Sequence, residues 1–204
     1  MNQVSCGTSR IVGVRFAVYP MSDQFADIIK SALKQVDTSK VWMQTDDITT
    51  CVRGRSEHVF DVAEAVFVQA AKNGTHTVFN GTFSIGCPGD SEGDTYMSED
   101  GVRLNKEASS QTEVEASTHF ALYPMNNPDY MQVIADQVET AKEHSTFTKG
   151  VHYASRLDGS ANDVFGTLEE IFVDTAQSSS HGHVTMTATV SANSPSQKDN
   201  KRND

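Results

Sequence analysis

Phe16-Ala17-Val18-Tyr19-Pro20-Met21 returns 104 residues later as Phe120-Ala121-Leu122-Tyr123-Pro124-Met125. Two further landmarks keep nearly the same spacing. His58-Val59-Phe60 is followed 105 residues on by Asp163-Val164-Phe165, and Phe83-Ser84-Ile85-Gly86-Cys87-Pro88 is followed 107 residues on by Val190-Ser191-Ala192-Asn193-Ser194-Pro195. An offset that grows only where loops would lie marks a tandem duplication of one unit. The reading divides the chain into a first repeat at 9–88, an acidic linker at 89–115, a second repeat at 116–196 and a tail at 197–204 that is expected to be disordered.

Within the first repeat, Val12, Val14, Phe16 and Val18 alternate with Arg15 as a strand does, and Pro20 ends the run. Ser22 stands where an N-cap belongs, and Phe25, Ile28, Ile29, Ala32, Leu33 and Val36 then follow at helical spacing. Residues 41–44 and 48–52 read as a hairpin around Asp46-Asp47. Val59, Phe60, Ala63, Val66, Phe67 and Ala70 make a second amphipathic helix, closed by Asn73-Gly74, and 77–85 is the last strand. The second repeat follows the same scheme, with Asn127 and Pro128 opening its first helix. The order βαββαβ predicts an α+β fold: two ferredoxin-like units, each an antiparallel four-stranded sheet with two helices on one face. The bare faces, carrying Arg15, Thr49, Cys51, Asn80 and Thr82 or His119, Ala154, Thr187 and Thr189, are polar and small. They are expected to pack against another sheet, in the sister repeat or in a second chain.

The formal charge of −11 disfavours nucleic acid or an anionic membrane as partner and favours cationic guests. Cys6, Cys51 and Cys87 are too few and too scattered for a disulfide framework or structural zinc. No signal sequence and no membrane-spanning run is visible, so a cytoplasmic chain is expected, and the Asn73 and Asn80 glycosylation patterns read as turn and strand residues. His181 and His183 lack a third ligand, Cys87 lacks a base, and Asp46, Asp47 and the acids at 90–94 read as solvated loop residues. No phosphate loop or nucleophile elbow is present, so no catalytic residue, metal or cofactor is assigned.

The informative residues are polar ones on the apolar side. If Ile48 and Val52 point to the helices, the strand period of two sends Thr50 there as well. The repeat partner of Thr50 is Ser155, in company with Val151, Tyr153 and Leu157. A buried hydroxyl without a partner costs about 1–3 kcal/mol, so each is either bonded to backbone or trapped water, or faces a ligand cavity. In the second case Phe16 and Val18, or Phe120 and Leu122, form its wall. Trp42 and Phe147, one repeat apart, are candidates for a flat aromatic surface, or are ordinary core aromatics.

Several runs resemble the YkoF family of thiamine and hydroxymethylpyrimidine-binding proteins: Cys6-Gly7-Thr8-Ser9-Arg10, Asp37-Thr38-Ser39-Lys40-Val41-Trp42, the stretch from Asn80 to Asp90, Phe120-Ala121-Leu122-Tyr123-Pro124-Met125, Gly150-Val151-His152-Tyr153-Ala154-Ser155 and Ser191-Ala192-Asn193-Ser194-Pro195-Ser196. The resemblance implies a dimer without a known catalytic role. It also implies thiamine or its pyrimidine half as ligand in each repeat, in precursor salvage or uptake, with a transporter of the precursor as a candidate partner. On that reading Thr50 and Ser155 hydrogen-bond the pyrimidine, and the backbone around Val18 and Leu122 lines the pocket. The alternatives are a protein-interaction module using the polar sheet faces and an enzyme acting on a small heterocycle. Differences between the copies, Asp47 against His152 among them, predict unequal affinities.

Overall fold

The computed structural model describes residues 11–86, 97–125, 127–178 and 183–196. The first repeat runs β1 (Val12–Pro20), α1 (Phe25–Lys34), β2 (Trp42–Thr45), β3 (Thr50–Gly54), α2 (Ser56–Ala71) and β4 (Thr77–Ile85). A short α3 (Lys106–Ser110) follows, then β5 (Glu115–Pro124), α4 (Tyr130–Glu143), β6 (Phe147–Val151), β7 (Ala154–Ser160), α5 (Ala161–Ser178) and β8 (Val184–Ala192). Each repeat is a βαββαβ unit, as its sequence pattern predicts.

The repeats do not stack sheet on sheet. They join edge to edge into one antiparallel eight-stranded sheet, β2-β3-β1-β4-β8-β5-β7-β6. The seam is the β4–β8 ladder, from Thr77↔Ala192 to Ile85↔Val184, and Asn80 Nδ2 donates to Thr189 Oγ1 across it at 3.0 Å. This overturns the expectation of face-to-face contact within the chain. The cause is that β4 and β8 are both edge strands of their own units, and each leaves a row of backbone donors and acceptors that the other satisfies.

Alternation along the strands gives the sheet one apolar face. In β1, Val12, Val14, Phe16, Val18 and Pro20 are buried while Arg15 and Tyr19 are exposed. The helices cover that face, and α2 lies against α5 across the seam. Phenylalanines fill the join. Phe60 stacks on Phe83 at 4.3 Å, Phe67 and Phe79 meet Phe165 at 5.9 and 5.5 Å, and Phe60 meets Phe172 at 5.9 Å. One shared core therefore holds both repeats.

Part of the predicted linker is folded down on α2 and α5. Asn105 is 5% exposed; its backbone N–H and Nδ2 both donate to Asp61 Oδ2, and Nδ2 and Oδ1 also bond the backbone of Asp37. Arg103 grips Glu169 with two bonds of 2.8 and 2.9 Å. Asn162 donates to Glu64, which burial pushes up to about 7 despite that bond and the nearby Lys106 ammonium. His58 Nε2 lies 2.7 Å from the carbonyl of Asp100. Leu104, an apolar residue in the middle of this segment, is exposed. Polar contacts hold the segment down.

Other local expectations shift by a few residues. Ser22 Oγ accepts the N–H of Gln24, and Asn127 Oδ1 accepts that of Asp129, so both make turns just ahead of their helices rather than capping them. β3 starts at Thr50, because Asp46 Oδ1 accepts the N–H groups of Ile48 and Thr49 and holds 46–49 as a turn. Ile48 is consequently 77% exposed. Tyr153 is 98% exposed with φ +66 at the β6–β7 turn and belongs to neither sheet face. No helix among the described residues is long and apolar enough to cross a membrane.

Candidate functional site

β1 and β3 stop pairing at Phe16↔Thr50, because β3 has just emerged from its turn. Beyond that point β1 runs on from Ala17 to Pro20 with a ladder partner only on its β4 side. Between this bare strand edge, α1 and the β2–β3 turn lies a cleft of about 550 Å³. Such a volume fits a small heterocyclic ligand.

Phe16 and Val18 form the floor, with Ile29 and Leu33 of α1 opposite. Phe16 is 2% exposed and stacks on Phe79 at 5.1 Å, which fixes the floor to the shared core. Thr50 is buried at the inner end, and its Oγ1 lies 2.9 Å from Oγ1 of Thr45, another lining residue. Met21, Phe25 and Ile48 stand around the mouth with more than half of their surface exposed. Apolar side chains left wet around a concave apolar surface are a usual sign of a binding site.

Two carboxylates border the same cleft, and they differ. The backbone N–H groups of Thr49 and Ile48, with Arg15, hold the Asp46 carboxyl below its ordinary range. Asp47 has no ion-pair or hydrogen-bond partner among the described residues, so its charge is free to meet a cation.

The second repeat reproduces the register. β5 pairs with β7 as far as Phe120↔Ser155 and then continues through Leu122 to Pro124 with β8 alone. Phe120 and Leu122 are buried, Ser155 is half-buried, and Tyr123, Tyr130 and Met131 are exposed around that end. All six residues singled out from the sequence thus stand at matching places in the two units: Phe16, Val18 and Thr50 in one, Phe120, Leu122 and Ser155 in the other.

Trp42 and Phe147 do not match. Trp42 pairs with Arg53, whose guanidinium sits over its ring at 5.5 Å on the open face of the sheet. Phe147 pairs with Leu157 and packs against the core. A bulge between Phe147 and Lys149 moves the strand by one residue, which sends side chains to the other face. Of the histidine pair, His181 lies outside the described residues, and His183 is buried with its ring against Gly86. Cys87 and the acids at 90–94 also lie outside them. Thr45 is a lining residue that the sequence pattern did not single out, and Asp47, read there as a solvated loop acid and a difference between the copies, borders the cleft as well. Placing the hairpin turn at 46–49 would have revealed Thr45, since it then faces Thr50.

Comparison with known proteins gives a consistent picture. The model of the YKOF-related family matches residues 11–90 and again 115–197. A Bacillus subtilis (strain 168) protein named "Putative HMP/thiamine-binding protein YkoF" is 56% identical over 197 residues, covering 97% of this chain and 98% of that protein.

Proposed function

The chain belongs to the YKOF-related family, and from that premise we propose that it binds thiamine or its hydroxymethylpyrimidine half without transforming it, one molecule per repeat. The observation that carries this reading is the cleft of about 550 Å³ with a single buried hydroxyl, that of Thr50, set among apolar walls. A flat heterocycle gains from such walls, and its ring nitrogens need a few fixed polar partners. The hydroxyls of Thr50 and Ser155 supply them, and Phe16, Val18, Phe120 and Leu122 enclose the ring. Asp47 at the mouth and the net charge of −11 favour the cationic thiazolium of the intact vitamin.

A binder without chemistry serves salvage or uptake, handing the compound to a transporter or an enzyme. The open sheet face, polar and built from small residues such as Thr82, Thr187 and Ala121, suits packing against the same face of a second copy. Calorimetric titration with thiamine tests the reading. Two binding events per chain are expected, with Thr50→Val weakening one and Ser155→Ala the other. Binding indifferent to both substitutions would remove these pockets.

A further inference from the structure

We propose that Thr45 is a ligand-binding residue of the first repeat, completing a two-hydroxyl recognition element that the second repeat lacks; this rests on the reading of the cleft as a heterocycle site. Thr45 pairs with Thr50 across β2 and β3, both side chains line the cleft, and their Oγ1 atoms are 2.9 Å apart. One hydroxyl proton is spent between the two oxygens. The other remains on the hydroxyl that received the bond, and beside it the hydroxyl that gave the bond keeps both of its acceptor lone pairs. Either threonine can be the internal donor, so the pair can present a donor and an adjacent acceptor in either order. That complements a ring edge on which an N–H group lies beside a bare ring nitrogen, as in a 4-aminopyrimidine.

The second repeat has the same register with different chemistry. Gly150 stands opposite Ser155 where Thr45 stands opposite Thr50. The serine hydroxyl has no hydrogen-bond partner among the described residues, and it meets a ring edge alone. A Cβ built on Gly150 would have nothing within 4 Å, so a side chain can be added there without a clash. Threonine also suits an extended strand better than glycine does.

The experiment is thiamine titration by calorimetry on the whole chain, with Thr45→Val, Thr45→Ser and Gly150→Thr compared with the parent. Thr45→Val is expected to weaken one of two binding events about fivefold to tenfold, the effect of one lost hydrogen bond. Thr45→Ser keeps the hydroxyl and is expected to restore it. Gly150→Thr is expected to tighten the other event by a similar factor. Two binding events unmoved by Thr45→Val would overturn the two-hydroxyl element while leaving the cleft reading standing. A parent chain that binds no thiamine would overturn the reading and this inference together. Thr45 and Gly150 are both exposed, so loss of fold does not confuse the outcome, and unchanged thermal midpoints would verify it.

Discussion

Asn105 and Asp61 are bonded twice, the side-chain amide donating at 2.8 Å and the backbone N–H at 3.0 Å to the same carboxylate oxygen. Asp61 is 4% exposed, so its buried oxygen needs those donors as hydrogen-bond partners. The Asn105→Ala change removes the stronger bond and the two that tie the segment to Asp37. Its expected cost is about 2–3 kcal/mol, read as a lower urea midpoint with an unchanged slope.

Glu64 makes stability fall with pH on the alkaline side of the carboxylate range. Burial raises its folded-state value to about 7, whereas the unfolded chain releases the same proton near 4.5. Between those values the folded state holds a proton that the unfolded state has lost. The associated stabilisation is complete below 4.5 and is lost as pH rises through 7. Glu64→Gln keeps an acceptor for Asn162 and should remove this slope, a change of about 1–3 kcal/mol between pH 5 and pH 8 followed by denaturant unfolding.

Gly86 takes φ +83 at the end of β4, and the ring of His183 occupies the space where a Cβ would be. Gly86→Ala therefore meets both the left-handed backbone penalty and a clash beside the Ile85↔Val184 pair. A loss of about 1–3 kcal/mol is expected. A thermal midpoint that stays put would mean the ring moves aside freely.

Asp47 predicts a salt-sensitive affinity. Asp47→Asn should weaken the first-repeat binding of thiamine about twofold to fivefold at low ionic strength, with the difference shrinking as salt screens the exposed charge. The neutral hydroxymethylpyrimidine should not distinguish the two proteins. Equal losses for both compounds would mean that the carboxylate shapes the cleft instead of reading charge.

Most of the architecture could be read from spacing alone, and the reasons are physical. The alternation from Val12 to Val18 and the stripe of Ile28, Ala32, Leu33 and Val36 are direct images of which side meets the core, so their elements form where expected, whereas Phe25 at the head of the stripe stays at the cleft mouth. Phe16, Val18 and Thr50 could be placed on one face because a strand's period of two admits no other arrangement. Hairpin register was less legible. It depends on Asp46 capturing the N–H groups of Ile48 and Thr49, and on the bulge after Phe147, neither of which leaves a periodic trace. Spacing therefore does not point to Thr45, and Trp42 and Phe147, one repeat apart in sequence, do not occupy matching places. The edge-to-edge joining was also invisible, since β4 and β8 carry the same alternation whether their rims are paired or bare.

The β4–β8 seam means that neither half of this polypeptide is a finished object. Severed from its sister, each would show nine residues of naked strand, Thr77–Ile85 or Val184–Ala192, to anything able to zip onto it. A half-length ancestor could have quenched that rim only by meeting its own twin about a two-fold axis. Gene fusion would then have made the partnership permanent, leaving the outer strands β3 and β7 free to drift apart in chemistry while the middle stayed locked.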